Sequence, residues 1–157
     1  MTLRFAVSRP DGGVTIISAA PIADLKRVFG PLFTEEQYRA HVIERNGLTD
    51  SAVELPEDWT PPDDRTFRDA WRLNGKGLEV DMDRARVIHM GRIRRARDAK
   101  LPALDVQFTR AQGRKDAAAA DAVEAQRQTL RDLPTTFDLS KASTPDELRR
   151  LWPAELA

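Results

Sequence analysis

LPALDVQFTRAQGRKDAAAADAVEAQRQTLRDL, residues 101–133, carries two apolar stripes on either side of a short polar break. In its first half Leu101, Leu104, Phe108 and Ala111 step by three, four and three. In its second half Ala119, Val123, Gln126, Leu130 and Leu133 step by four, three, four and three. Such spacing puts each set on one face of an α-helix. Only Gly113 to Lys115 separate the two, which forces the helices antiparallel. Ala111 should then meet Ala119, Phe108 should sit near Val123, and Leu101 and Leu104 should approach Gln126 and Leu130. A seam this narrow cannot stand alone. It needs the segment around Phe67 and Trp71, another copy of the chain, or a partner.

Working outward, the first long helix starts near Asp81 or Asp83, either of which can cap it and face its dipole favourably. It runs to about Gln112, with Gly113 closing it. Pro102 removes a helical hydrogen bond and crowds the preceding turn, which predicts a kink or break near Lys100. Asp116 caps the second helix, which extends from Ala117 to Asp132 and is stopped by Pro134. A last short helix begins at Thr144-Pro145-Asp146-Glu147, with cap, proline and first-turn acids in order, and ends at Pro153.

Upstream, Leu3, Phe5 and Val7 alternate with Arg4, Ala6 and Ser8. Pro10-Asp11-Gly12-Gly13 and the β-branched run Val14, Ile16, Ile17 follow, which together predict a β-hairpin. Ile22 to Phe29 suits two helical turns ending at Gly30. Thr34-Glu35-Glu36-Gln37 is a capping box opening a helix with Tyr38, Val42 and Ile43 on its stripe, closed by Asn46-Gly47. Phe67, Trp71 and Leu73, then the turn Asn74-Gly75-Lys76-Gly77 and Leu78-Glu79-Val80, fit a second hairpin. A helical turn at 66–71 agrees equally well with Phe67 and Trp71 lying four apart. The fold class is therefore α+β: an N-terminal β-hairpin plus helix, a second β-hairpin, a long antiparallel helical hairpin and a short C-terminal helix. Residues 48–64, acidic and proline-containing, are expected as a linker between a module at 1–47 and a domain at 65–157.

The chain of 157 residues has 25 basic and 25 acidic side chains, a net charge of zero and no cysteine. This excludes disulfide frameworks and thiolate chemistry, and argues against a surface tuned as a whole for nucleic acid or membrane. The N-terminus has no basic stretch followed by an apolar run, and no apolar run has bilayer-spanning length. Expected locations are the cytoplasm of a bacterial host or a virion released from it. His41 and His89 lie on different elements, outside any metal-ligand spacing, and are each expected exposed or half-buried. With no phosphate loop and no nucleophile elbow, we expect no enzyme: no catalytic residue, no cofactor and no metal.

The one charge concentration is Arg84, Arg86, Arg92, Arg94, Arg95, Arg97 and Lys100. It suits a helix contacting phosphates, hence an alternative reading as a nucleic-acid-binding protein using residues 84–100. The arginines point around much of the helix and lack interleaved aromatics, so a solvated, ion-paired face or an ionic contact with an acidic protein fits better.

Asp64-Arg65-Thr66-Phe67-Arg68-Asp69-Ala70-Trp71, Glu79-Val80-Asp81-Met82, Ala85-Arg86-Val87-Ile88-His89, Arg92-Ile93-Arg94 and Leu104-Asp105 occur in an order that resembles short proteins from the tail regions of tailed phages and prophages. Gln128-Thr129-Leu130-Arg131-Asp132-Leu133-Pro134 resembles a signature of the phage tail assembly chaperone and tail fibre assembly protein group, and Arg9-Pro10-Asp11-Gly12-Gly13-Val14 matches the same group. The resemblance implies a role in tail or tail-fibre assembly through binding another tail protein, without cofactor or catalysis. The N-terminal module and Pro102 depart from a minimal chaperone, which leaves a structural tail component of the virion as an alternative. The candidate partner-binding residues are Phe67, Trp71, Arg92, Arg94, Arg95, Leu130 and Arg131, with another tail or tail-fibre protein, or a second copy, as partner.

Overall fold

A computed structural model describes residues 1–75 and 77–157; Lys76, within the predicted turn, lies outside the described residues. The chain divides into two compact units, Met1–Asp81 and Met82–Ala157. The helical hairpin expected from the stripes forms, and the fold is α+β.

In the first unit, β1 (Arg4–Ser8) and β2 (Val14–Ser18) pair antiparallel, with Ala6 opposite Ile16. Gly12 holds the turn at φ +79°. A third strand, β3 (Val53–Glu54), pairs antiparallel with β1, so the sheet order is β2-β1-β3. This corrects the reading of 48–64 as a linker over its central part: Val53 and Glu54 carry the sheet edge, and Leu55 is buried. Phe5 and Ala6, on opposite faces of β1, are both buried: Phe5 packs with Tyr38 and Val42, and β4 also packs against β1.

The helix α1 (Ile22–Phe29) ends at Gly30, and α2 (Glu35–Arg45) begins at Thr34. The capping box is complete: the Gln37 amide donates to Thr34 Oγ1 at 3.2 Å, and the Thr34 amide donates to Gln37 Oε1 at 2.9 Å. Tyr38 and Val42 are buried with Leu3 and Phe5, while Ile43 is left at the surface. The Tyr38 hydroxyl accepts from the Leu3 amide at 3.1 Å and donates to the Ala20 carbonyl at 2.6 Å. One buried aromatic thus supplies apolar area and satisfies two backbone groups of the hairpin ends.

The segment around Phe67 combines both expectations for it. A 3-10 turn at Arg68–Ala70 leads directly into β4 (Trp71–Asn74), which pairs antiparallel with β5 (Gly77–Val80). Phe67, Ala70 and Trp71 are buried. This second hairpin belongs to the first compact unit, not to the unit that holds the helical hairpin.

In the second unit α3 (Met82–Gly113) and α4 (Ala117–Thr136) pack as a hairpin. Asp81 immediately precedes α3, and Asp83 lies in its first turn. Asp116 caps α4 by accepting from the Ala119 amide at 3.0 Å. Two expectations are corrected. The break expected at Pro102 does not occur: α3 is continuous through it, with the ring exposed. Pro134 does not stop α4, which continues to Thr136. There the Thr135 and Thr136 hydroxyls donate to the Asp132 carbonyl at 2.7 and 3.1 Å, and the Phe137 amide donates to Leu133. Gly113 closes α3 as expected, and Lys115 in the connection takes the left-handed conformation at φ +56°.

The chain then returns through Leu139 and Ala142 to α5 (Pro145–Arg150) and a 3-10 turn at Ala154–Leu156, both packed against α3. Thr144 and Glu147 form a second capping box.

Candidate functional site

Within the helical hairpin, Leu130 and Leu133 of α4 and Ala111 of α3 are buried, and Leu101, Leu104, Phe108, Ala119 and Val123 are half-buried. Gln126, predicted on the seam, is exposed. Arg127 closes the seam: its guanidinium lies 2.8 Å from Asp105, pairs with Glu124, and covers the Phe108 ring at 4.8 Å. Glu124 also accepts from Arg131 at 2.8 Å. That hydrogen bond, helped by the charge of Arg127, holds the Glu124 carboxyl below the usual glutamate range.

Beside this polar bracket the hairpin opens a groove of about 560 Å³. Ala99, Ala103, Leu104 and Leu130 form its apolar floor, with Gln107, Gln126 and Thr129 along its sides. Small residues one turn apart on α3 keep the groove open, because alanine fills little of the space between helices. At one end the Lys100 ammonium donates to the carbonyls of Glu155 and Ala157 at 3.0 and 3.1 Å, which fastens the C-terminal residues there.

The first unit carries a different surface. Val28, Phe29 and Leu32 are 74 %, 52 % and 89 % exposed. Phe29 stacks on Phe33 at 5.0 Å and meets the edge of His41 at 5.1 Å, so the exposed ring is held in place from beneath. Isolated apolar side chains at a surface are ordinary, but three large ones within five residues over an aromatic base make a patch.

The candidate partner residues divide between the two units, Phe67 and Trp71 in the first and the others in the second. Phe67 and Trp71 are core side chains, 3 % and 8 % exposed. Leu130 is buried at the groove floor, and Arg131 is exposed beside it, engaged with Glu124. On α3, Arg92 is half-buried, while Arg94 and Arg95 are exposed and Arg95 Nε donates to the Gly91 carbonyl at 3.3 Å. Much of the arginine concentration is engaged with the protein itself. Arg86 pairs with Asp83 at 2.7 Å and donates to the Ala142 carbonyl at 2.9 Å, and Arg97 pairs with Asp98 at 2.8 Å.

Two features escaped the sequence reading. His89 is buried, not exposed or half-buried: its Nε2 lies 2.8 Å from the Leu151 carbonyl and its ring meets the edge of Trp152 at 5.7 Å. Ala85, His89 and Ile93 form a second buried face of α3, and their four-residue spacing was the available signal. The Val28-Phe29-Leu32 patch was visible only as apolar residues at a helix end, a pattern that ordinarily means burial.

Among the described residues, no group of three or more histidines, cysteines, aspartates or glutamates could hold a metal ion, and no helix is long and apolar enough to cross a membrane. No protein-family model, no curated protein and no solved structure matches this chain.

Proposed function

We propose that this chain is a non-enzymatic protein of a tailed phage or prophage that acts in tail or tail-fibre assembly by binding another tail protein in the host cytoplasm. Two separate supports meet in this reading. The tail-region resemblance of the stretches around Phe67, Ala85 and Leu130 supplies the biological setting. The observation that carries a protein-contact role is the exposed patch of Val28, Phe29 and Leu32. Fully burying a side chain of this size is worth about 1.5–3 kcal/mol, so the patch gains most by being covered by another apolar surface.

The test is coexpression with the tail or tail-fibre subunits encoded beside this chain, followed by copurification. The wild-type protein is expected to hold one of them soluble in a defined complex. A triple variant, Val28→Ser with Phe29→Ser and Leu32→Ser, is expected to fold and to lose the complex. If the neighbouring subunits are equally soluble and uncomplexed with the wild-type chain, the assembly reading fails. Mass spectrometry of purified particles beside the lysate separates helper from component: fixed stoichiometry in the particle assigns the chain to the virion instead.

A further inference from the structure

The first compact unit contains an open cavity of about 580 Å³ over one face of its three-stranded sheet. This lies within the range of small-molecule sites, about 300–1,000 Å³. Four guanidinium groups line it, those of Arg4, Arg9, Arg65 and Arg68, against the single carboxylate of Asp69. In a chain of zero net charge, four arginines outnumber the carboxylates of Asp69 and of Asp11, which pairs with Arg9, so the cavity is locally positive. Two of the chain's three tryptophans, Trp59 and Trp71, also border it. Thr15 and Ser18 of β2 also line it.

One of the guanidiniums is set in place by the turn beneath it. Asp11 Oδ1 accepts from both the Gly13 amide, at 2.9 Å, and Arg9 Nε, at 3.1 Å. The Arg9 amide donates to the Gly13 carbonyl at 2.7 Å. The Arg9 guanidinium lies so close over Gly13 that a Cβ there would fall 2.2 Å from Nη2. Asp11 occupies Nε and leaves the terminal nitrogens for another acceptor. Arg4 is similarly held, with Nη1 donating to the Glu57 carbonyl at 3.3 Å. Arg68 approaches Asp69 only to 3.7 Å, with both side chains about two-thirds exposed, so that pair offers little competition to a ligand.

From this arrangement we propose that the cavity binds a nucleoside diphosphate. Planar guanidinium forks match phosphate oxygens in pairs, and several around one cavity suit a ligand carrying more than one phosphate. The half-buried Trp59 indole offers a flat apolar face on which a base of either class can stack. The cavity size favours a mononucleotide over a polymer. This inference is independent of the tail-assembly reading, which concerns the Val28-Phe29-Leu32 surface.

The experiment is calorimetric titration of the full chain with ADP and, separately, UDP, with inorganic phosphate, adenosine, an octaglutamate peptide and a thymidine oligonucleotide as further arms. Both diphosphates are expected to bind one per chain, and to quench tryptophan fluorescence. Arg65→Ala with Arg68→Ala, both exposed positions, is expected to weaken binding about tenfold or more without changing the melting curve. Trp59→Ala is expected to weaken it about tenfold while leaving a weak response to inorganic phosphate. Gly13→Ala, which displaces Arg9, is expected to weaken binding in the same direction. The proposal is overturned if neither diphosphate binds at about 1 mM, or if the arginine pair variant binds as the wild type does. It is equally overturned if phosphate alone, the peptide or the oligonucleotide binds more tightly than the diphosphates.

Discussion

The guanidinium of Arg127 on α4 reaches Asp105 on α3 at 2.8 Å while its carbon lies 4.8 Å above the ring centre of Phe108. One side chain therefore joins the two long helices by charge and by packing at once, and it does so with only 17 % of its surface exposed. A charge-assisted hydrogen bond and a cation–π contact at a partly buried site together suggest a loss of about 1–3 kcal/mol for Arg127→Ala. Arg127→Lys should recover only part, because a single ammonium cannot serve Asp105 and Glu124 in the fork geometry. A double-mutant cycle with Asp105→Ala in urea is expected to show coupling between the two positions. Additive losses would mean that the ion pair contributes nothing.

Glu124 gives the hairpin an acid-sensitive element. Its carboxyl is held below its ordinary value of 4.5, first by the hydrogen bond from Arg131 and then by the charge of Arg127. A carboxyl with a depressed folded-state value adds stability above its unfolded value, and this stability is lost as pH falls through the folded value. The helical hairpin should therefore weaken as pH drops from the ordinary glutamate range downward. Glu124→Gln is expected to flatten that part of the profile, followed by thermal melts at successive pH values. An unchanged acid limb in the variant would remove Glu124 from the account.

Legibility tracked how local each determinant was. The capping boxes of Thr34 and the start signal at Thr144 could be read because their partners lie three residues away. The helical hairpin could be read because Leu104, Phe108, Leu130 and Leu133 repeat at helical spacing around a connection too short for any arrangement but antiparallel. Residues 53–54 could not be read as a strand, since two residues carry no period and their partner, β1, lies some fifty positions upstream. His89 was misplaced because the Leu151 carbonyl that receives it is 62 residues away in sequence. For the partner surface, Phe67 and Trp71 drew attention as large aromatics, and size and apolarity predict burial as readily as contact. The patch at Val28, Phe29 and Leu32 breaks that rule, which only coordinates reveal.

Lys115 adopts φ +56° in the connection between α3 and α4, a region in which an L side chain is strained by about 1–2 kcal/mol. Its amide donates to Gln112 and the next amide, of Asp116, to Ala111, so the turn needs this conformation to satisfy the end of α3. Glycine at this position removes the strain but adds freedom to the unfolded chain. Lys115→Gly is expected to gain a net of about 0.5–1 kcal/mol in urea unfolding. A loss would show that the lysine side chain supports the turn in some other way.

Pro102 sits inside a 32-residue helix that continues on both sides of it. The proline ring removes the amide that would serve the Asp98 carbonyl four residues earlier, and relative to alanine a proline in a helix interior is less favourable by about 3 kcal/mol. Continuity through this position means that the packing on either side outweighs that cost. Ile93 is buried before it, and Ala111 is buried after it on the seam. Because the Pro102 ring is exposed, Pro102→Ala should leave no cavity and should restore one helical hydrogen bond. Part of the gain is offset by the freer unfolded chain, so a net stabilisation of about 1–2 kcal/mol is expected. The rise should appear in the urea midpoint without a change in slope. A variant no more stable than the wild type would mean that α3 bends at Pro102 enough to escape the helical penalty, and that the groove floor at Ala99, Ala103 and Leu104 takes its shape from that bend.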